Sequence, residues 1–417
     1  MKNKFLIVFI ITILFANVGF SQNGNFDSQP QRIILNITDE PNTSVAVTWR
    51  TITKTEHPEI QYAVATGWRQ FEDSLHIIPI NSHEFVTDEL QHVFYYSGLI
   101  HNLNPNTTYV YRVGSDSVWS EWNQFKTGKG DTELFKFVFF GDPQNENKNH
   151  VSRVFREAFR TAPDADFWLF TGDLLAAPHD ELMDEFFFAG DFMFRSIPIV
   201  MTPGNHDREF LIKDGGYVLD KRGNPRFGRE ISELFKVSFT LPENGPSPNI
   251  ETSFYYDYQG ARFILIDSNK RDSLDIQIPW LENLLKNNPN EWTIVAFHHP
   301  IFSSGGDRDN DETRNAFMPL FDKYNVDLVL TGHDHTYSRS FKLNSGKKIN
   351  EGEKGTVYVV SVSGPKMYSV NERKDNIMAK YGGHVQLFQV ISVDHNKLSY
   401  KSYTATGKLY DEFELDK

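Results

Sequence analysis

Short runs rich in Val, Ile, Tyr and Thr recur from about Gln29 to Thr127: "RIILNIT", "SVAVTWR", "EIQYAVA", "HVFYYSG" and "TTYVYRV", parted by the turn clusters "DEPN" and "NLNPN". This pattern predicts an all-β sandwich. After a connector, "TGKGDTE" from Thr127 to Glu133, strand-like runs begin to alternate with helical ones. "LFKFVFF", "DFWLF", "IPIVM", "ARFILID", "WTIVAF" and "VDLVL" are short and unbroken, as strands buried on both faces are. "KNHVSRVFREAFR", "DELMDEFFFAGDFMF", "IPWLENLLKNN" and "ETRNAFMPLFDKY" carry apolar residues at helical spacing. The expected order is a β module over 29–127 and an α/β domain over 134–417.

Five of the strand-like runs lead into the same kind of polar segment. "LFKFVFF" meets Gly141-Asp142-Pro143-Gln144, "DFWLF" meets Gly172-Asp173, and "IPIVM" meets Gly204-Asn205-His206-Asp207. "WTIVAF" meets His298-His299-Pro300, and "VDLVL" meets "TGHDHTYSR", Thr331 to Arg339. Loops at the carboxyl ends of α/β strands are where sites are built. Alternate side chains of an extended segment point the same way, so His333 and His335 can share one cleft. One strand-end carboxylate is commonly a helix cap or turn former, but five polar ends in register are hard to explain as caps. Carboxylate and amide oxygens mixed with imidazoles suit two closely spaced ions such as Zn, Mn or Fe.

The start of the chain adds a destination. Two lysines precede an apolar run from Phe5 to Leu14, and Gly19 with Ser21 has the small-residue pattern of a cleavage site. Residues 1–21 are expected to be a secretory signal peptide, and the protein to be exported to a periplasm or the exterior without stable membrane association. There is no cysteine, so metal must be held by oxygen and nitrogen. A formal net charge of -13 argues against a nucleic-acid partner. It leaves a small anionic substrate possible, because bound cations can reverse the local field. Oligomeric state is not legible.

The five blocks resemble those of the calcineurin-like metallophosphoesterase superfamily and, within it, the purple acid phosphatases, whose pattern is DxG, GDxxY, GNH(D/E), VxxH and GHxH. "VAVTWRT" and "SGLIHNLNPNTTYVYRVGSDSVWSEWNQFKT" resemble that family's fibronectin-like N-terminal sandwich, and "KLSYKSYTATGKLYDEFEL" resembles its C-terminal hairpin. The resemblance implies a four-layer α/β/β/α domain after the sandwich. It also implies that Asp142 and His335 bind one metal, that Asp173 bridges, and that Asn205, His298 and His333 bind the second. His298 fits the VxxH spacing, with His299 as its neighbour. His206 takes the place of a non-ligand histidine that contacts the phosphoryl group or protonates the leaving group. Asp207 is either its orienter or a structural cap, and Arg208, Arg222 or Arg226 are candidate phosphate forks.

Two departures stand out. The family's tyrosine ligand is replaced by Ala176, and its glycine in DxG by Gln144. Either the Gln144 carbonyl takes the place of the lost phenolate on the metal, or its amide contacts substrate from outside the ligand set. Tyr337 is expected to pack or hydrogen-bond. The loop "IFSSGGDRDNDETR" after Pro300 also lacks the histidines that plant members place there for substrate. The leading expectation is a dinuclear-metal phosphatase that hydrolyses phosphomonoesters by attack of a metal-bridging hydroxide. A phosphodiesterase or nucleotide pyrophosphatase is the alternative on the same core, and a secreted adhesion or glycan-binding protein the alternative of another class.

Overall fold

The structure is a computed structural model that describes residues 26–116, 118–130, 133–269, 274–350, 352–373 and 375–417. The expected signal peptide, Met1 to Ser21, and part of the Thr127–Glu133 connector lie outside them. Strands Phe135–Phe140, Phe167–Phe170 and Ile199–Met201 run parallel, with Phe137 opposite Phe167 and Trp168 opposite Ile199. Three antiparallel strands, Leu387–Val393, Lys397–Thr404 and Leu409–Asp416, extend this sheet on one side. A second sheet has Ala261–Ile266, Trp292–Phe297, Leu328–Thr331 and Val357–Val360 in parallel, flanked by antiparallel edges.

The apolar runs are unbroken because each strand is covered on both faces. Phe137 packs edge-on against Phe263 of the second sheet, with ring centres 5.3 Å apart, whereas Phe140 turns outward to Phe155 at 4.9 Å. Phe155 lies on helix Ser152–Thr161, which covers the first sheet with helix Asp180–Phe194. On the other side Phe297 faces Phe317 of helix Asp311–Tyr324, and helix Leu274–Lys286 packs beside it. The layers are therefore α/β/β/α.

The N-terminal residues form a sandwich around Trp49, Tyr96 and Tyr111, with Trp49 and Tyr96 stacked at 5.1 Å. Its front sheet does not stop at the module. Strand Gln31–Asn36 pairs in parallel with Ile199–Met201, so that one ten-stranded sheet runs through both halves of the chain. The pattern of apolar runs predicts two modules and is silent about this join. Its physical cause is an otherwise open strand edge. Ile37 N and Asn36 Nδ2 both donate to the Ile199 carbonyl, at 3.0 and 3.1 Å. After the third parallel strand the chain adds a small arm of two hairpins, Arg208–Phe210 with Phe227–Ile231 and Ile212–Lys213 with Gly216–Tyr217.

Candidate metal centre

The five strand ends converge where the two sheets meet. Two groups of side chains there offer donor atoms within 4.8 Å of one another: Asp142, Asp173 and His335 in one, and His298, His299 and His333 in the other. His298 Nε2 lies 3.4 Å from Asp173 Oδ2 and joins the groups. Asn205 Oδ1 is 3.1 Å from the same nitrogen, and His333 Nδ1 is also 3.1 Å from it. All seven ligand candidates expected from the strand-end blocks, Gln144 included, thus come together. His299 sits closer than a mere neighbour, its ring 4.3 Å from that of His333 and its Nδ1 3.0 Å from Ser268 Oγ.

The loops are held in a backbone conformation that side chains with a Cβ avoid. Asp142, Asp173, His333 and His335 have φ of 32°, 51°, 70° and 50°. Such residues cost about 1–3 kcal/mol each and persist only where surroundings over-determine them. Here the surroundings are the loops themselves. The His333 amide donates to both Asp142 carboxylate oxygens, at 2.8 and 2.9 Å, and the His206 amide donates to Asp173 Oδ1 at 2.8 Å. Two glycines permit the approach, because a Cβ on Gly332 would collide with Asp142 Oδ1 and one on Gly204 with Asp173 Oδ1.

Three of the imidazoles are aimed by a bond from Nδ1 to a backbone carbonyl. His298 Nδ1 donates to the Thr171 carbonyl at 2.8 Å and His335 Nδ1 to the Lys366 carbonyl at 2.9 Å, which leaves both Nε2 atoms turned to the cleft. His206 Nδ1 donates to the Ala176 carbonyl at 2.6 Å. Its Nε2 then faces Asp173 Oδ2 at 4.0 Å. The residue whose side chain cannot replace the family's tyrosine thus serves through its backbone.

The electrostatics suit cations. Burial pushes the Asp142 carboxyl up to about 8 and, with Asp173 nearby, the Asp207 carboxyl up to about 6. Burial also opposes charge on Asp173, but His298 and His206 outweigh it and hold that carboxyl well below the usual range. Burial and Lys366 lower His335 to about 3, and burial keeps His333 neutral. Burial disfavours charge on His298 too, yet Asp173 and Asp142 raise it to about 9. Left to itself the cleft must therefore keep protons on groups that a cation would displace. The Gln144 amide takes part in the same way. Its Nε2 donates to Asp173 Oδ2 at 2.8 Å and approaches His335 Nε2 at 3.1 Å, standing where a positive centre is wanted, while its buried Oε1 has no partner. The donor set fits a metal pair.

Arg208 does not take its expected role, and Asp207 takes the structural one of its two. Arg208, expected on a phosphate, is only 1% exposed and donates from Nη2 to both Asp267 carboxylate oxygens at 2.6 and 2.5 Å, so its guanidinium is engaged by a buried carboxylate. Asp207 does not touch the His206 ring. Its carboxylate accepts from the amides of Gly204 at 2.7 Å, Asp173 at 2.8 Å and Leu174 at 3.1 Å, so it ties two strand-end loops together. Tyr337 is buried and donates to Asp411 Oδ2 at 2.8 Å, away from the cluster. Sequence reasoning passed over Asp334, which lies between two ligand histidines and points the opposite way. Its Oδ2 takes Ser303 Oγ and the Ser304 and Gly305 amides at 2.7, 2.7 and 3.1 Å, fixing the neighbouring loop. Strict alternation in "GHDH" was the available signal.

Comparison with known proteins agrees with this architecture. The family model described as calcineurin-like phosphoesterase matches residues 135–337, and that described as the purple acid phosphatase N-terminal domain matches residues 30–127. Acid phosphatase type 7 of Danio rerio is 26% identical over 440 residues, spanning 94% of this chain and 92% of its own. Purple acid phosphatase PPD1 from yellow lupin seeds superposes with a TM-score of 0.76 at 18% identity, covering 93% of this chain and 74% of that one. A structure of PhoD gives 0.66 at 14% identity, over 94% and 91%. At such identities the two structural likenesses speak for the fold, and the family models and the fish relative carry the chemistry. The chain belongs to the calcineurin-like phosphoesterases, with the two-part build of a purple acid phosphatase, and is a metal-dependent phosphoric ester hydrolase.

Proposed function

We propose that the protein is an exported phosphomonoesterase with a two-ion centre. The observation that carries this reading is the pair of donor groups joined through His298 and Asp173 at 3.4 Å. Asp142, Asp173, His335 and, once its amide is turned over, the Gln144 oxygen would hold one ion, and Asn205, His298 and His333 the other. Two bound ions neutralise the phosphoryl group and make a nucleophile of water near neutral pH. The remaining work falls to the chain. His206 is oriented through Ala176 so that its Nε2 delivers a proton to the departing oxygen. His299, held by Ser268, packs against the His333 ring and steadies it. Asp207 and Asp334 keep the loops in place.

Export is supported by the charged, apolar and small-residue order of Met1 to Ser21. Among the described residues no helix is long and apolar enough to cross a membrane. Membership of a hydrolase family sets aside the adhesion reading. The phosphodiesterase alternative shares every group named above, so substrate tests must separate the two. Protein purified without chelator should hold about two equivalents of Zn, Mn or Fe and cleave p-nitrophenyl phosphate well ahead of its bis ester. Equal or greater turnover of the bis ester would replace this proposal with the diesterase.

A further inference from the structure

One flank of the centre is basic in a chain whose formal net charge is -13. Arg308, in the loop after Pro300, donates from Nη1 to the His333 carbonyl at 2.6 Å and stacks over Tyr368 at 4.8 Å. Tyr368 in turn lies edge-on to the His335 ring at 4.9 Å. Lys366, whose carbonyl orients His335, places its ammonium 5.7 Å from the Tyr368 ring centre. The hairpin arm crosses to this side, and its exposed Arg222 shares with Gly305, Arg308, Tyr368 and Ser369 a cavity of about 290 Å³.

That cavity is smaller than the usual pocket for a whole small molecule, about 300–1,000 Å³, and open, so it suits one substituent. Its lining is stiffly held. The Gly306 amide donates to Ser369 O at 3.0 Å and the Asn371 amide to Ser304 O at 2.9 Å, while Asp334 clamps Ser303 to Gly305. Three carboxylates stand near the two guanidinium groups: the exposed Asp307 at the rim, the buried Asp334 with Oδ1 3.6 Å from Arg308 Nη1, and Asp220, whose Oδ1 accepts the Arg222 amide at 2.8 Å. Asp309 is engaged by Arg314 at 2.6 Å. Among the described residues no carboxylate takes a fork from either guanidinium, which leaves their donors for an anion. Arginine forks match phosphoryl oxygens, and Arg308 uses only one of its donors on the protein carbonyl.

We propose that Arg308 and Arg222, with Lys366 beside them, form a second anion subsite, and that the preferred substrate is a phosphomonoester whose leaving group carries another phosphoryl group. The proposal rests on the phosphomonoesterase reading for what is cleaved and on the basic flank for what is selected. No covalent step is added. The second phosphoryl group is held while the first is transferred to water, and the alcohol bearing it departs.

The test compares ethyl phosphate and butyl phosphate with the bisphosphates of ethane-1,2-diol and butane-1,4-diol on metal-loaded protein. At least one bisphosphate should exceed its monoester by tenfold or more in kcat/KM, mainly through KM. Arg222→Gln and Arg308→Gln should each bring that ratio to within about twofold of unity, whatever they do to the monoester rate, and Arg308→Lys should restore part of it. Because Arg222 is exposed, its variant keeps the test valid if Arg308→Gln fails to fold. Calorimetric binding of butane-1,4-bisphosphonate against butylphosphonate supplies a second readout. Loss of all turnover with the bisphosphonate preference intact would overturn the phosphomonoesterase reading and leave the subsite standing. Equal handling of mono- and bis-anions by the unmodified protein, or a preference that survives both variants, would overturn the subsite.

Discussion

Buried aspartates occur both at the seam between the sandwich and helix Asp180–Phe194 and at the metal centre, but at the seam they meet arginines, whose charge is permanent, and at the centre imidazoles and amides. There Arg32 and Arg50 fork onto Asp180 at 2.8 and 2.7 Å, Arg32 Nε reaches Asp184 at 2.7 Å, and Tyr95 receives a further donor at 2.8 Å. Burial opposes the Asp180 charge, yet the two arginines outweigh it and hold that carboxyl below its usual range. At the centre Asp142, Asp173 and Asp207 take their bonds from amides, imidazoles and Gln144. Burial drives two of the three upward in pKa. A seam neutralised from within is finished when the chain folds. A cluster short of positive charge is finished only by what it binds.

The comparison breaks most severely at Asp173, which lies in one donor group and reaches His298 of the other. Asp173→Ala should reduce hydrolysis to background and lower the bound metal, while the seam keeps the cooperative melt of the sandwich. Near-normal turnover with saturating metal would remove Asp173 from the centre. His206→Ala should retain both ions and lose about 10²- to 10⁴-fold in rate, the usual worth of a general acid. The loss should be smaller for nitrophenyl than for alkyl phosphates. Equal losses would mean that His206 does not protonate the leaving group.

The seam answers in stability instead. Asp180→Asn should cost about 3–5 kcal/mol, the usual effect of leaving buried partners unpaired, with metal content and substrate ratios unchanged. Because the folded-state pKa of Asp180 is depressed, its contribution is complete above the unfolded value of about 4 and fades as pH falls through the folded value. Unfolding free energies across pH 2 to 6 should therefore differ between unmodified protein and variant by an amount that shrinks toward the acid end. A constant difference would assign the effect to packing. The smallest expected signal is optical. With Ala176 at the tyrosine position and Tyr337 bound to Asp411, iron-loaded protein should show no tyrosinate charge-transfer band. A violet band lost in Tyr337→Phe would show that a phenolate had reached the metal.

Much of this was legible before any coordinates. Unbroken apolar runs announce strands covered on both faces, and polar residues after them mark strand ends, so the alternation of strands with helices and the gathering of metal-capable side chains at the strand ends follow from pattern, while the layer order and the individual ligands came from the family resemblance. What pattern does not carry is the direction of a side chain with several partners in reach. Arg208 had equal claim to a phosphate or to Asp267, 59 residues away, and burial chose the carboxylate. Asp207 had an imidazole beside it and three loop amides in space, and took the amides.

The residue order alone determined the periodicity, the turns and the chemical type of each ligand, because these depend on neighbours within a few positions. Only the tertiary structure decided that strand Gln31–Asn36 closes the edge at Ile199, that Ala176 serves His206 through its carbonyl, and that Arg222 and Arg308 line one cavity. Each of those contacts joins segments distant in sequence. Their geometry is set by how whole sheets and loops pack, and no local pattern encodes it.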